Sequence, residues 1–100
     1  MYDIRAYIGH NVGTVPMHTQ EDIARAISAC DVEGCTLIEC RGLWHGVYED
    51  TTCVYVACVS EEWVENFKTR IVPQLCDILS QESIMVEVRE SACEFISATM

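Results

Sequence analysis

The sequence predicts an α+β domain in which a four-stranded antiparallel sheet carries two helices on one face. Four segments have the alternation or the β-branched composition of strands, and two have helical periodicity. They follow one another in the order β-α-β-β-α-β, which is the ferredoxin-like order. Because the chain has 100 residues, half of them apolar, we expect residues 1–100 to form one domain with one core.

The first strand and the first helix lie in the N-terminal third of the chain. Apolar and polar residues alternate over 2–8, as in a half-buried strand, and the stretch 9–13 ends it. Thr19 provides a helix N-cap ahead of Gln-Glu-Asp, and apolar residues then recur at helical spacing until Gly34. The predicted helix spans roughly residues 20–32.

A hairpin follows, formed by two segments rich in β-branched residues, 35–41 and 51–59. The residues between them include two glycines, so we expect a long loop over 42–50. This predicted loop carries Trp44 and His45, a large ring and a titratable one where small polar residues are usual.

The C-terminal half predicts a second helix and a fourth strand. Ser60 caps the helix, whose apolar residues continue at a 3.6-residue period to Leu79, and Pro73 should kink or divide it. Residues 84–89 alternate as a strand, and we expect residues 92–96 to form a short fifth element. Right-handed crossovers place both helices on one face of the sheet.

The seven cysteines favour neither a disulfide scaffold nor a zinc site. Their number is odd, no Cys-x-x-Cys occurs, and the N-terminus carries no secretory signal. We expect small buried core residues and no metal. The longest apolar run, 54–59, is too short to span a membrane, so we expect a cytoplasmic protein without membrane contact.

The net charge of the protein limits the classes of molecule that it can bind. Sixteen acidic and six basic side chains give a net charge of −10, which repels phosphates and argues against direct binding of nucleic acid. A compact acidic protein can instead occupy the basic groove of a nucleic-acid enzyme, as small inhibitors of viral origin do. Such an acidic inhibitor is one alternative function, and ordinary solubility is the simpler explanation of the charge.

The sheet face away from the helices must meet water or a partner. Alternation assigns to this open face Arg5, Tyr7, Leu37, Glu39, Arg41, Cys53, Tyr55, Ala57, Met85, Glu87 and Arg89. Because the face combines half of the basic residues with tyrosines and apolar groups, we expect a homodimer or higher oligomer that associates through it. An amphipathic face on a monomer is the alternative.

Candidate ligand-binding residues lie around the hairpin and the exit of the first strand. Trp44 offers a flat surface for a ring-bearing ligand, and Arg41 and His45 offer donors to an anionic group. Alternatively, Trp44 covers the hairpin or a subunit interface. The stretch 81–84 either ends the second helix or lines a pocket beneath the hairpin. The candidate set is Arg41, Trp44, His45, His10, Asn11, Tyr7, Arg5 and Arg89.

No arrangement of a nucleophile, a base and an orienting group is evident, and the adjacent acids Glu49 and Asp50 are explained by loop solvation. We therefore expect no catalytic residue and no cofactor. The leading hypothesis is a non-enzymatic homo-oligomer that binds a small, anionic, ring-bearing ligand of the nucleotide type, as a sensor or a sequestering protein.

The order of elements and the hairpin resemble the PII-like group of ferredoxin-like proteins. Gly42-Leu43-Trp44 and Gln81-Glu82-Ser83-Ile84, with Cys93 near the end, are also similar to a little-studied bacterial family with Gly-x-Trp in the hairpin and Gln-Glu-Ser before the last strand. The PII-like resemblance implies oligomers that bind nucleotides or other small anions in clefts between subunits.

A second group on this fold is that of the dimeric α+β-barrel monooxygenases, which use a pocket between sheet and helices lined by aromatic, His and Asn side chains. His10, Asn11, Tyr7 and Trp44 match these residue types. An oxygenase-like enzyme, cofactor-independent or flavin-assisted, is therefore a further alternative.

Overall fold

The computed structural model describes residues 1–98 and has the predicted α+β architecture. The elements are β1 (Tyr2–Gly9), β2 (Asn11–Val12), β3 (Val15–Pro16), α1 (Gln20–Ala29), β4 (Thr36–Trp44), β5 (Val47–Val59), α2 (Glu61–Asn66), a π-helical turn (Phe67–Ile71), α3 (Val72–Leu79) and β6 (Met85–Glu90). The four long strands form an antiparallel sheet in the order β4-β5-β1-β6, while β2 and β3 form a small separate hairpin. The predicted element at 92–96 is wrong, because 91–98 has no regular structure.

The helix α1 begins where its cap predicts. The Thr19 hydroxyl accepts a hydrogen bond from the backbone N–H of Asp22 at 3.2 Å, and the Asp22 carboxylate accepts one from the backbone N–H of Thr19 at 2.9 Å. The buried face of the helix presents Ile23 and Ile27 to the sheet. It ends at Ala29, three residues earlier than predicted.

Pro73 changes the hydrogen-bonding of the second helical segment without dividing it. The chain stays helical from Glu61 to Leu79, and the five residues Phe67–Ile71 adopt π-helical spacing just before the proline. A proline lacks the N–H that an α-helix would use at that position, so one wider turn accommodates it. The structure therefore has a π-helical turn where the sequence predicted a kink or a break.

The core lies between the helices and one face of the sheet. β1 contributes Ile4 and Ile8, each fully buried, and the helices contribute Phe67, Ile71 and Leu75. Among the described residues, Phe67 has the largest fully buried side chain. Burial of these apolar surfaces is the main stabilising contribution to the fold.

The hairpin between β4 and β5 has a two-residue turn in place of the predicted long loop. His45 and Gly46 both have positive φ, 50° and 78°, as a tight hairpin turn of the I′ type requires. Pairing begins directly at Trp44 opposite Val47. Most of the predicted loop at 42–50 is therefore strand.

The hairpin also extends past the rest of the sheet. β1 pairs with β5 only as far as Gly9 opposite Thr51, whereas β4 and β5 stay paired to the turn. We call residues 41–50, which form this two-stranded extension, the ribbon. Four large apolar side chains of the ribbon are exposed: Leu43, Trp44, Val47 and Tyr48.

The register of β4 corrects part of the predicted open face. Leu37 lies opposite Val54 and packs against the core, so Leu37, Glu39 and Arg41 point to the helix side. Because Leu37 and Ile38 are adjacent and both apolar, the sequence alone is compatible with either residue on the helix side of β4. The residues of β4 on the open face are Thr36, Ile38, Cys40, Gly42 and Trp44. The assignments on β1, β5 and β6 are confirmed by their registers.

The cysteines have several environments. Cys58 and Cys93 form a disulfide that joins the end of β5 to the segment after β6. Cys30 and Cys53 are buried, as expected of small core residues, but Cys35 and Cys40 are exposed and Cys76 is half-buried. Within residues 1–98 there is no cluster of three potential metal ligands, and no helix there combines the length and apolarity needed to cross a membrane.

Truncating the central ring should lower stability strongly. Phe67→Ala removes a fully buried side chain, and we expect a loss of about 3–5 kcal/mol in the free energy of unfolding. The control is Phe95→Ala, because Phe95 is 88% exposed. Urea denaturation measures both, and equal effects of the two substitutions would contradict this packing.

Asp3 should contribute to acid sensitivity. The hydroxyls of Tyr55 and Ser91 each donate to its carboxylate at 2.9 Å, and these bonds hold the pKa of Asp3 below its ordinary value. A lowered folded-state pKa stabilises the fold above the unfolded pKa near 4, and the contribution is lost as pH falls through the folded pKa. Asp3→Asn should therefore lower Tm at pH 7 and flatten the fall of Tm below about pH 4. Asp77→Asn, at an exposed site, should leave that profile unchanged.

Candidate functional site

Two clefts flank the base of the ribbon, one on each face of the sheet. The open-face cleft has a volume of about 540 Å³ and is lined by Tyr7, Gly9, Cys40, Arg41, Gly42, Leu43, Trp44, Glu49, Thr51, Gln81, Ser83 and Met85. The helix-side cleft has a volume of about 600 Å³ and is lined by His10, His18, Thr19, Gln20, Glu21, Glu39, Cys40, Arg41, Asp50 and Thr51. Both volumes are in the range of small-molecule sites.

A carboxylate is fixed in the wall of the open-face cleft. Glu49 is half-buried, and its Oε2 accepts a hydrogen bond from the backbone N–H of Asn11 at 2.9 Å. Its carboxylate also lies against Gly9, where an added Cβ would be 2.6 Å from the Glu49 Cδ. Only a glycine leaves room for this approach, so Gly9 and Asn11 together determine where the charge sits.

The same backbone position is held from its other side by Gln81. The Gln81 Nε2 donates to the carbonyl of Asn11 at 2.9 Å and to the carbonyl of Leu79 at 3.3 Å. α3 ends at Leu79, and the next residue, Ser80, caps it in a left-handed conformation with φ 53°. Gln81 therefore follows the helix end and also lines the open-face cleft, together with Ser83.

The remaining lining of the open-face cleft is mainly aromatic and apolar, with Arg41 and Thr51 as further polar residues. Tyr7 lies on β1 opposite Cys53 and Met85, and burial raises the pKa of its hydroxyl, with the neighbouring Cys53 adding to the effect. Tyr7 is therefore a neutral hydrogen-bond donor at physiological pH. Trp44 closes the outer end and is 73% exposed. Such walls suit a ring, and Glu49 suits a cationic or donor-rich group beside it.

Arg41 and Trp44 do not meet on one face. The register places the Arg41 side chain on the helix side, opposite Asp50, with its guanidinium 5.3 Å from the centre of the Tyr48 ring. Trp44 is on the open face, with its ring 4.7 Å from that of His45. Both residues line the open-face cleft, although their side chains leave the hairpin on opposite faces.

The other predicted site residues are dispersed. His45 is at the turn and lines neither cleft. Arg5 lies over the Tyr55 ring, with its guanidinium carbon 4.6 Å from the ring centre, and pairs with Glu87 at 3.6 Å. Arg89 is 3.4 Å from the same carboxylate. These two arginines are engaged on the open face of the main sheet, away from the ribbon.

Two histidines line the helix-side cleft. His10 is buried, and its Nε2 is 2.8 Å from the Thr52 Oγ1, which in turn donates to the Gln20 Oε1 at 3.2 Å. The Thr52 hydroxyl therefore connects His10 to Gln20, the first residue of α1. The His18 Nε2 donates to the carbonyl of Leu79 at 2.7 Å.

Glu49 and Asp50 are the site residues that the sequence did not reveal. Both were explained as loop acids, but they lie on a strand, so successive side chains point to opposite faces and each lines one cleft. The sequence feature that could have indicated strand here is His45-Gly46. A two-residue pair that ends in glycine between two β-rich segments is typical of a tight hairpin turn, which leaves Glu49 and Asp50 on the following strand.

Solved structures share this fold. A phage SAM lyase in complex with S-methyl-5′-thioadenosine matches with a TM-score of 0.73 and 22% sequence identity over 89% of this chain and 80% of that chain. A phage SAM lyase in its apo state matches with a TM-score of 0.73 and 24% identity over 88% of this chain and 78% of that chain. No protein-family model and no curated sequence gives a significant match. At this identity the likeness concerns the fold.

Gly9→Ala should displace the Glu49 carboxylate. The added Cβ would overlap the carboxylate, so the hydrogen bond to the Asn11 amide should be lost. The measurement is the Asn11 amide proton shift in NMR spectra, which should move upfield when the hydrogen bond is lost. Gly34→Ala, where a Cβ would meet open space, is the control. An unchanged Asn11 amide in Gly9→Ala would contradict the proposed contact.

Proposed function

We propose that this protein binds S-adenosylmethionine in the open-face cleft and cleaves it to release S-methyl-5′-thioadenosine. The observation that carries the proposal is the combination of the open-face cleft with the shared fold. An aromatic-walled cleft with one fixed carboxylate lies in a chain that matches the phage SAM lyases over almost nine-tenths of its length.

The chemistry of the ligand fits the walls of the cleft. The adenine ring would lie against Trp44, and the hydroxyl of Tyr7 and the side chains of Gln81 and Ser83 offer hydrogen bonds. The sulfonium and ammonium groups are cations, and Glu49 provides the matching negative charge. The ligand is therefore ring-bearing, as the sequence suggested, but cationic, and the net charge of −10 attracts it.

The reaction makes few demands on the protein. Release of S-methyl-5′-thioadenosine breaks the bond between the sulfonium sulfur and the amino-acid side chain, and sulfur keeps the electron pair. Sulfur thereby becomes a neutral thioether and is a good leaving group. The carbon that loses sulfur gains a bond to an oxygen of the substrate's own carboxylate, which closes a five-membered lactone, so the second product forms without an external nucleophile or a proton transfer. This is compatible with a cleft whose described lining includes no nucleophile paired with a base. Glu49 would hold the cationic substrate in a reactive conformation.

The activity test compares Glu49→Gln with the wild type. We expect the purified wild-type protein to convert S-adenosylmethionine to S-methyl-5′-thioadenosine, detected by liquid chromatography. Loss of the charge in Glu49→Gln should lower kcat/KM by about 10- to 100-fold, the usual effect of losing a charged hydrogen bond. Glu65→Gln, on the exposed side of α2, is the charge-matched control.

The same experiment separates a lyase from a sequestering protein. Saturable binding of S-adenosylmethionine in calorimetry without product would support the non-enzymatic function, which the sequence also suggested. Neither binding nor product in the wild type, or equal activity of Glu49→Gln and Glu65→Gln, would overturn the proposal.

We also propose that the protein self-associates through the open face and the ribbon. Exposed apolar side chains on this face include Ile38, Trp44, Val47 and Met85. A stable soluble monomer seldom leaves such a surface uncovered. A second subunit there would cover the open-face cleft, an arrangement of the kind that the PII-like resemblance implies.

Native mass spectrometry tests the self-association. Wild-type protein should give a dimer or larger species, and Ile38→Glu should shift it to monomer, because a carboxylate would be placed in the apolar contact. Ile78→Glu is the control, since Ile78 is an exposed residue of α3 on the other side of the molecule. A monomeric wild type would contradict the proposal.

A further inference from the structure

The segment after β6 is anchored at one end of the open face before it leaves the fold. The hydroxyl of Ser91 donates to the carboxylate of Asp3, on the open face of β1, at 2.9 Å. Two residues later the disulfide joins Cys93 to Cys58 on β5. Residues 94–98, which follow this anchor and which we call the arm, are all exposed.

The arm carries two large apolar side chains that no described residue covers. Phe95 is 88% exposed and Ile96 is 85% exposed, more than any other large apolar residue described. The disulfide two residues before Phe95 restricts where these side chains can lie. Adjacent apolar side chains presented at a fixed place on the surface are typical of a contact with another surface.

The open face has a polar end and an apolar end. The strand registers align its residues in rows across the four strands. The row nearest the anchor contains Asp3 and Arg89, and the next row consists of Thr36, Tyr55, Arg5 and Glu87. The row after that consists of Ile38, Cys53, Tyr7 and Met85, and further exposed apolar side chains follow near the turn at Trp44 and Val47. We call the part of the open face from the Ile38 row to the turn the apolar half.

The arm does not cover the apolar half of its own copy, and its length explains why. The anchor lies at the level of Asp3, whose carboxylate accepts a hydrogen bond from the backbone N–H of Cys58. The apolar half begins four residues along β1, at Tyr7, which is roughly 13 Å away. Phe95 is two residues beyond the disulfide, and two extended residues span at most about 7 Å. The backbone of Phe95 therefore stops beside the polar end.

The area of a stable contact also favours participation of the arm. The open face is six residues long where β1 pairs with β6, and four strands of that length cover roughly 400 Å². A stable interface buries about 800 Å² on each partner. An aromatic side chain alone buries on the order of 150 Å² or more. Phe95 and Ile96 therefore supply contact area that the sheet itself lacks.

We propose that the arm of one copy packs on the apolar half of a second copy. Two copies that lie face to face and are turned end for end place each arm over the apolar half of the other, so both contacts form together. Trp44 and Met85 belong to the apolar half and also line the open-face cleft, so the second copy's Phe95 borders that cleft. This inference rests on the self-association proposed above and names the segment that produces it.

Native mass spectrometry of the double variant Phe95→Ser, Ile96→Ser tests the contact. The matched control is Val15→Ser, Ile78→Ser, which removes two exposed apolar side chains outside the main sheet. We expect the arm variant to raise the Kd of self-association about tenfold or more, because two apolar side chains no longer become buried. The control should associate as the wild type does. Since the arm adds nothing to the core of its own copy, the monomeric arm variant should unfold at the wild-type urea concentration.

Isotope-filtered NOE spectra of mixed labelled and unlabelled wild-type protein locate the contact. Phe67 is fully buried, so a phenylalanine ring that contacts the Ile38 or Met85 methyl groups of another copy must be that of Phe95. We expect such NOEs between copies.

The outcomes separate the arm contact from the proposals above. An arm variant that associates like its control, or an associated wild type without these NOEs, would overturn the arm contact and leave self-association through the rest of the open face. A monomeric wild type would overturn both. Neither measurement uses S-adenosylmethionine, so both results stand whether or not the protein cleaves it.

Discussion

The pairing of β4 with β5 beyond the edge of the main sheet is the interaction on which the rest of the site depends. It exists because His45 and Gly46 adopt positive φ and turn the chain in two residues. Every residue of the ribbon then has a fixed side, since side chains alternate along a strand. The ribbon thereby forms one wall of each cleft, and adjacent residues in the sequence contribute to different surfaces.

Attachment of the ribbon to the sheet is equally specific. Glu49 spans from the ribbon to the exit of β1, where it binds the backbone of Asn11 and lies against Gly9. Gln81 donates to the carbonyl of the same residue, Asn11, and connects it to the end of α3. Three distant parts of the sequence are thus joined at one backbone position. The Glu49 carboxylate is positioned by a residue that is itself anchored, and a ligand that carries a positive charge requires such a fixed partner.

The sequence was sufficient for the architecture because the elements with strong periodicity are also those that build the core. The capping residue Thr19 and the alternation around Ile4 and Ile8 predicted α1 and β1 correctly. The site was harder to predict from the sequence, because Leu37 and Ile38 are adjacent on β4. A shift of the predicted alternation by one residue moves every side chain of the strand to the other face of the sheet. That shift moved Arg41 to the open face, and the separate prediction of a loop over 42–50 concealed the role of Glu49 and Asp50.

The central claim is that the open-face cleft binds an adenosine-bearing sulfur compound beside Glu49. NMR shift mapping with S-methyl-5′-thioadenosine tests it most directly, because this ligand is uncharged and undergoes no further reaction of the proposed kind. We expect saturable shifts of the Tyr7, Trp44, Glu49 and Ser83 amides, while those of His18 and Glu21 across the sheet stay unchanged. Shifts confined to the helix-side cleft, or none at all, would contradict it.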